Sequence, residues 1–292
     1  MCLKPDEMKA LTASVIPEDA DNQALTWESS NEEVAEVTKN GKVITNASGD
    51  CTITCSATDG SGVKATCDVH VLAVGTYGTT NGHEWIDLGL PSGTKWATFN
   101  VGADSPEEYG NYYAWGETKS KEIYSWNTYK YCNNGNNSEL TKYCVDSSYG
   151  YNGFTDNKTE LETVDDAATV NWGSGWRMPS EEKIEELQDS SYTIMVSIKQ
   201  NGVNGCLIIS KSNGNSIFLP YAGATGRAGV ISYAGEGGVY SSRTLMSSFD
   251  VAARQLVIVS SSLEYYHYVA VRAGLNDCCY RNWGKSVRAV RK

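Results

Sequence analysis

Three histidines are the side chains best suited to metal binding or to acid–base catalysis at neutral pH, and they are far apart in the sequence. His70, His83 and His267 each stand alone, without a second histidine four residues away to complete a metal site on a helix. The sequence also has no motif for a nucleophilic serine, a phosphate-binding loop or a dinucleotide-binding turn. We therefore predict that the protein is not an enzyme, and we expect neither a metal nor another cofactor.

Nine cysteines are an odd number for a disulfide framework, and their spacing fits no zinc site. Cys51, Cys55 and Cys67 fall in segments that alternate as strands do, so we interpret them as small buried side chains with free thiols. An exported protein could still form one or two disulfides.

Two pairs of adjacent carboxylates, Asp165-Asp166 and Glu181-Glu182, are better explained as charges at helix starts than as an acid–base pair, because anions there interact favourably with the helix dipole. Ser180 is a suitable N-cap for the second pair, and Ile184 and Leu187 would form the buried face of the helix that follows. This is the one helix that the sequence signals well.

The overall charge and composition exclude several classes of partner. A net charge of −11 argues against binding to nucleic acid or to anionic membranes. No apolar run reaches the roughly 18 residues of a membrane span, and the first residues lack the apolar stretch of a signal peptide. The chain has 18 Tyr and 8 Trp but only 4 Phe, a bias towards rings with a polar group that is typical of wet contact surfaces.

Two domains are expected, because the residue pattern and the glycine content change along the chain. Residues 1–74 show short alternating runs separated by turn clusters, which predicts a small all-β sandwich. Residues 75–82 are rich in glycine and predict a linker. Residues 83–292 combine short strands with glycine-rich connections, and we expect Trp96, Trp115 and Trp176 to form their core. At the chain's end, Val287 and Val290 should point inward, with Arg288 on a basic outer face.

Three segments of the first domain form a recognisable pattern: "VIPEDADNQALTWESSNEEVAEV", "NGKV" and "GDCTITCSATDGSG". On these segments the domain resembles the group 2 bacterial immunoglobulin-like (Ig-like) family, and the resemblance covers residues 3 to 73. It implies an Ig-like sandwich. The family usually has a further strand before this segment, so either the first strand is shortened or more of the protein lies upstream.

The second domain contains five characteristic segments: "DLGLPSGTKWA" (87–97), "YAWGE" (113–117), "WRMPS" (176–180), "NGNSIFLPYAG" (213–223) and "GKSVRAV" (284–290). On these segments it resembles a major paralogous domain of Fibrobacter and Bacteroidetes that has a C-type lectin-like fold, akin to that of the formylglycine-generating enzyme. The resemblance implies an α+β fold over residues 83–292.

Two activities known on this fold are disfavoured by the residues present. Oxidase relatives activate oxygen with copper and a cysteine pair, but the vicinal Cys278-Cys279 has no matched partner. Calcium-dependent lectins use a Glu-Pro-Asn loop followed by Trp-Asn-Asp, of which only Asn276-Asp277 is kept.

The segment before the last strand has a composition that fits a known mutational process. Between Ser247 and Asn282 there is no lysine, and only Gln255 and Glu264 are unreachable by changing the adenines of an asparagine codon. One group of the lectin-like relatives is the variable proteins of diversity-generating retroelements, in which such adenines are randomised. The resemblance implies a variable region at about 243–283.

Within and beside this region the family pattern separates fixed from variable positions. Arg281 and Gly284 match as fixed scaffold, whereas Trp283 departs from the pattern because tryptophan is unreachable from an asparagine codon. The expected ligand-binding face consists of Val257, Val259, Tyr265, Tyr266, His267, Tyr268, Val269, Val271, Asn276, Asp277, Cys278, Cys279 and Tyr280. Tyrosines would give it rigid, amphipathic contact area, as in antibody paratopes.

The sequence therefore predicts a surface-displayed, extracellular ligand-binding protein, an adhesin or receptor tip, whose partner is a protein or glycan on another cell or a phage. Neither nucleic acid nor direct membrane insertion is expected. Three alternatives remain: a structural cell-surface or fimbrial subunit without a diversified site, an ordinary paralogue whose loop has drifted, and an oxygen-dependent modifying enzyme.

Overall fold

The computed structural model describes residues 1–226, 230–260 and 280–292. The chain divides into two compact units, Met1–Gly78 and Thr79–Lys292. Both are built mainly of short β-strands, and the helices are few and short.

The first unit contains two sheets with strand orders β1-β7-β6-β3 and β2-β5-β4, in which β1 runs parallel to β7 and the other pairs are antiparallel. Its core contains Val43, Ile53, Val69 and Val71, all essentially inaccessible to solvent. The strands are β1 (Cys2–Leu3), β2 (Met8–Ala10), β3 (Leu25–Ser29), β4 (Ala35–Val37), β5 (Lys42–Thr45), β6 (Gly49–Ala57) and β7 (Lys64–Val71).

The cysteines of the first unit occupy strand positions, as predicted. Cys51 and Cys55 are buried on the inward face of β6, on either side of Ile53, whereas Cys67 on β7 is half-buried. All three thiols are free. Cys51 and Cys55 therefore act as small apolar core residues, and burial raises the pKa of both thiols.

The second unit contains three sheets with strand orders β18-β10-β9-β8, β11-β12-β13 and β15-β14-β16-β17. The first strand of these sheets, β8 (Tyr77–Thr80), begins two residues before the boundary between the units. The others are β9 (His83–Asp87), β10 (Lys95–Ala97), β11 (Thr193–Gln200), β12 (Val203–Ser210), β13 (Ser216–Pro220), β14 (Ala222–Thr225), β15 (Ile231–Ala234), β16 (Gly237–Leu245), β17 (Ala253–Val259) and β18 (Val290–Arg291). Its described residues also form two α-helices, α1 (Ala167–Trp172) and α2 (Glu181–Gln188), and three single-turn 3₁₀ helices, Trp126–Thr128, Tyr151–Gly153 and Thr163–Asp165.

The linker predicted over residues 75–82 is only partly a linker, because β8 occupies Tyr77–Thr80. Asn81 and Gly82 have φ angles of 51° and 81°. Two consecutive positive φ angles in an Asn-Gly pair are typical of the tight turn that joins antiparallel strands. This turn joins β8 to β9, its neighbour in the sheet, so the glycine-containing segment begins the second unit's sheet instead of only spanning a gap.

The three tryptophans predicted as core are confirmed. Trp96, Trp115 and Trp176 are each at most 1% exposed. The Trp115 indole donates a hydrogen bond to the Ser242 carbonyl (2.9 Å), and the Trp176 indole donates to the Thr80 carbonyl (3.0 Å). These large rings fill space that longer helices and strands would fill in a more regular domain.

Helix α2 is also confirmed, with Ser180 at its N-cap, Glu181 and Glu182 in its first turn, and Ile184 and Leu187 buried. The prediction for Arg288 was wrong: this side chain is 1% exposed. Its guanidinium donates to the Asn100 side chain (2.9 Å) and to the carbonyls of Ala97, Thr98 and Phe218. The alternating pattern suggested one solvent-facing side, but this segment is covered on both sides.

Replacing Trp115 by alanine should lower the free energy of unfolding of the second unit by about 3 to 5 kcal/mol, because a large buried ring is lost and a cavity remains. Urea denaturation followed by circular dichroism measures the change. Trp126→Ala is the matched control: Trp126 is only half-buried, so we expect a smaller loss. Equal losses at the two positions would contradict the assignment of Trp115 to the core.

Candidate ligand-binding face

Strand β17 carries the first two residues of the expected binding face, and its side chains alternate. Leu256 and Ile258 are buried, whereas Val257 and Val259 are half-buried on the opposite side. Val257 lies opposite Val239 of β16, and both Val257 and Trp283 pack against the buried pair Ala224 and Val239. The two valines predicted to vary are therefore on the more accessible side of the strand.

Ser260 and Tyr280, the two described residues on either side of residues 261–279, lie at opposite ends of β17. Ser260 follows its last residue and donates a backbone hydrogen bond to the Glu236 carbonyl (2.9 Å). Tyr280 is bridged to Ala252, just before the first residue of the strand. The two ends are thus about 25 Å apart along an extended strand, at roughly 3.3 Å for each residue.

Tyr280, the other described member of the expected face, is half-buried among aromatic rings. Its ring centroid lies 6.0 Å from that of Phe249 and 6.3 Å from that of Trp126. Val257, Val259 and Tyr280 are therefore partly covered by neighbours, less exposed than a free surface would require. The other predicted members lie outside the described residues: Tyr265, Tyr266, His267, Tyr268, Val269, Val271, Asn276, Asp277, Cys278 and Cys279.

Arg281 follows Tyr280 directly and is fully buried. Its guanidinium donates to the Tyr129 hydroxyl (2.9 Å) and to the carbonyls of Tyr143 (2.9 Å), Asp250 (3.0 Å) and Lys142 (2.9 Å). None of the described carboxylates forms an ion pair with it. Neutral oxygen atoms therefore satisfy this buried cation.

Aromatic faces complete the surroundings of Arg281. The guanidinium carbon lies 4.8 Å from the centroid of Trp115, 5.4 Å from that of Tyr129 and 6.0 Å from that of Tyr143. The negative potential of an aromatic face favours a cation there. Backbone hydrogen bonds to Val251 (3.0 Å) and from Trp115 (2.8 Å) fix the main chain at the same point.

Gly284 is held by a close approach of three segments. A Cβ at this position would lie 2.6 Å from Thr225 Cγ2 and 2.6 Å from a ring carbon of Tyr124, so any other residue would displace them. The Gly284 and Thr225 backbones exchange two hydrogen bonds of 2.8 Å. Trp283 packs just as closely against Gly226, since a Cβ added to Gly226 would lie 2.7 Å from the nearest indole carbon of Trp283. These contacts give Arg281, Trp283 and Gly284 structural roles.

The predicted variable region contains many buried residues. Leu245, Val251, Ala252 and Ala253 lie in the core of the second unit or directly beside it. Variation across the whole range 243–283 would disrupt packing, so the positions free to vary are fewer than this range.

A buried carboxylate cluster was missed by the sequence reasoning. Asp166 is the N-cap of α1, as predicted, and accepts from the Thr169 amide (2.9 Å). Asp165 is different. The residue is only 2% exposed, and its carboxylate accepts hydrogen bonds from the hydroxyls of Tyr131 and Tyr143. Lys142 Nζ lies 2.6 Å from one of its oxygens and Lys130 Nζ 3.2 Å from the other.

Burial and the contacts within this cluster shift the pKa values of its members. Burial by itself raises the pKa of Asp165, but the hydrogen bonds from Lys142, Tyr131 and Tyr143 outweigh it and hold the pKa at about 2. Burial raises the pKa of Tyr143 to about 12, and the pKa of Lys142 is raised because its bonds to Asp165 and Glu162 outweigh desolvation. Asp165 is thus ionised at neutral pH, and Tyr143 links it to the Arg281 site.

The two described histidines have structural surroundings. His70 Nδ1 lies 2.8 Å from Asp50 Oδ1, and His83 stacks on Trp172 with 4.0 Å between ring centroids. The described residues hold no group of three or more His, Cys, Asp or Glu side chains arranged for a metal ion. Within the same residues, every helix is too short or too polar to cross a membrane.

Comparison with known proteins adds an assignment for the first unit. The model of the bacterial Ig-like domain (group 2) matches residues 1–69. Those residues form a bacterial Ig-like domain. The two sheets and apolar core of the first unit are the structure of this domain.

Two relatives each match a short part of the chain, and both are uncharacterised proteins of Clostridium acetobutylicum. One is 38% identical over 66 residues, which is 23% of this chain and 7% of the relative. The other is 36% identical over 62 residues, or 21% of this chain and 16% of the relative. The chain thus spans a small fraction of the length of these relatives.

Replacing Arg281 by lysine should lower the free energy of unfolding by about 3 kcal/mol or more, because a lysine cannot reach all four acceptors and a buried polar group without a partner is costly. Arg243→Lys is the matched control, since Arg243 pairs with the accessible Glu160 carboxylate, an interaction that lysine can keep. Urea titrations of both variants measure the difference. If the Arg281 variant lost no more stability than the Arg243 variant, the hydrogen bonds around the Arg281 guanidinium would contribute little to stability.

Asp165→Asn should be less stable than the wild type at pH 7 by about 2 kcal/mol, the equivalent of its lowered pKa. A carboxyl whose pKa is lowered by folding contributes stability above its ordinary pKa and loses it as the pH falls to the folded value. The difference should therefore shrink between about pH 4 and pH 2. Unfolding curves across this range test it, with the exposed Asp21→Asn as control; a constant difference would exclude the ionised cluster.

Proposed function

We propose that this protein is a surface-displayed ligand-binding protein, an adhesin or receptor tip, and not an enzyme. Its second unit would have a C-type lectin-like α+β fold with a diversified binding face, and the Ig-like domain would act as a spacer. Ig-like domains of this group are typically extracellular or surface-associated, which supports display outside the cell. The ligand would be a protein or glycan on another cell or a phage.

The observation that carries the proposal is the division between predicted variable and predicted fixed positions. Each predicted variable residue that the structure describes, Val257, Val259 and Tyr280, is partly accessible. Each predicted fixed residue, Arg281 and Gly284, is buried and held by contacts that no other residue type could make. A domain that tolerates variation needs its fixed positions in the core and its variable positions outside it, where substitutions cost less.

The proposal is tested first by sequencing this gene in sister isolates. We expect differences concentrated at adenine-derived codons between Val257 and Tyr280, with Arg281 and Gly284 unchanged. A nearby repeat of the same region, differing only at adenines, should be present. Differences spread evenly over Thr79–Lys292 would instead favour a drifted paralogue or a structural subunit without a diversified site.

Binding itself is tested by incubating the labelled chain with a glycan array and with intact bacterial cells. Replacing Tyr265, Tyr266 and Tyr268 together by serine should reduce any binding observed at least about 30-fold, as the loss of central aromatic contacts does. Tyr151→Ser is the matched control, because Tyr151 is an exposed tyrosine (42%) of the same unit outside the expected face. Equal binding by both variants would count against the face.

A further inference from the structure

The second unit has a sheet edge that no described strand covers. Strand β11 is the outer strand of the sheet β11-β12-β13, and it pairs with β12 over eight consecutive residues without a bulge. It contains no proline and only one charged residue, Lys199, near its end. Monomeric proteins usually protect long edge strands with prolines, bulges or several charges, because an open edge pairs with other strands.

The turn after β11 determines which backbone groups point outward. Asn201 and Gly202 have φ angles of 47° and 86° and form a two-residue turn, so Gln200 and Val203 are a hydrogen-bonded pair. Because bonding alternates along an antiparallel pair, the even-numbered residues of β11 bond to β12. Met195, Ser197 and Lys199 therefore direct their N–H and C=O groups away from β12. Among the described residues, no group forms a hydrogen bond with the backbone N–H or C=O of these three residues.

One face of the same sheet is aliphatic and accessible. Ile194 and Val196 are 47% and 40% exposed, and Ile198 is half-buried beside them. The facing residues on β12, Leu207 opposite Val196 and Ile209 opposite Ile194, are also half-buried. The reverse face of β12, with Cys206 and Ile208, is buried in the unit. An accessible apolar face beside an open edge is the surface that a continued sheet would cover.

We propose that β11 pairs antiparallel with β11 of a second copy of this chain, with the two-fold axis at Val196. In this register Val196 faces Val196 of the second copy, and Ile194 faces its Ile198. Met195 and Ser197 exchange the hydrogen bonds that their outward groups lack. The pairing joins two three-stranded sheets into one of six strands with a continuous aliphatic face.

Self-complementarity favours a second copy over a foreign strand. Lys199, the only charge in β11, faces the neutral Thr193 of the second copy, so no like charges meet. A shift of two residues in one direction would place Ile194 opposite the polar Gln200. The same shift in the other direction would place Ile194 opposite Val196 but Ile198 opposite Tyr192, which precedes the strand. A shift by one residue would put the aliphatic side chains on opposite faces.

The oligomeric state of the full chain tests the proposal. In sedimentation velocity over a range of concentrations, the wild type should dimerise. Val196→Lys and Val196→Glu should each dimerise at least roughly tenfold more weakly, because like charges then meet at the axis. An equimolar mixture of the two variants should recover the dimer. Val170→Lys, a change at an exposed valine of α1, is the matched control and should leave dimerisation unchanged.

A wild type that stays monomeric at every concentration overturns the proposal, as does a dimer that both Val196 variants retain. If the charged variants unfold, Val196→Cys replaces them: two such cysteines face each other about 4.5 to 5.5 Å apart between Cβ atoms and should form a disulfide-linked dimer under mild oxidation. Ile194→Cys should not, and the wild type sets the background. This interface is independent of ligand binding, so its failure would leave the proposed function standing.

Discussion

The burial of the Arg281 guanidinium is the constraint around which the second unit is arranged. Removing a cation from water is costly unless its donors are satisfied. Here the acceptors come from three separate stretches of chain, at Tyr129, at Lys142-Tyr143 and at Asp250. All three stretches must be in place together, so a single side chain fixes connections that have little regular secondary structure of their own. The aromatic faces of Trp115 and Tyr143 exclude water from the same position.

Tyrosine hydroxyls perform a similar task throughout the irregular parts of the unit. Those of Tyr112, Tyr124, Tyr129 and Tyr240 donate to the backbone carbonyls of Ala222, Tyr112, Trp115 and Pro220, respectively. The carbonyls of Tyr112 and Trp115 lie in irregular segments, whereas those of Pro220 and Ala222 lie at strand ends. A buried carbonyl that lacks a sheet or helix partner needs one from elsewhere. The composition suggested a wet contact surface, but these four tyrosines serve an internal need for hydrogen-bond donors.

Sequence reasoning was most accurate where a local signal decides the structure. The cap and first turn of α2 depend on Ser180, Glu181 and Glu182, which are neighbours in the chain, and the alternation of Cys51, Ile53 and Cys55 depends on one strand. It failed where the partner is distant. Arg288 looked solvent-facing because nothing nearby shows that Asn100 and Phe218 cover it, and Asp165 looked like a helix-start charge because Tyr131 and Lys142 are remote in sequence.

The Asn-Gly pairs show that a local signal can also be overlooked. Asn201-Gly202 lies between two alternating apolar runs, a strong hairpin signature, and Asn81-Gly82 ends what was taken for a linker. For the expected binding face, the resemblance predicted that Arg281 and Gly284 do not vary, and both residues are buried. The sequence pattern did not predict that Trp283 packs against Gly226, a contact between residues that are far apart in sequence.

The position of residues 281–290 in the chain has a consequence for how the protein folds. This segment is threaded through the interior of its unit, where it bonds to Trp115, Tyr113, Val101, Ala97 and Arg177. These contacts link residues separated by most of the unit's length, and contacts of long sequence separation slow folding. During synthesis the Ig-like domain can fold early, whereas the second unit cannot close its core until Val290 has left the ribosome. Until then the core around Trp115 lacks the segment that completes it.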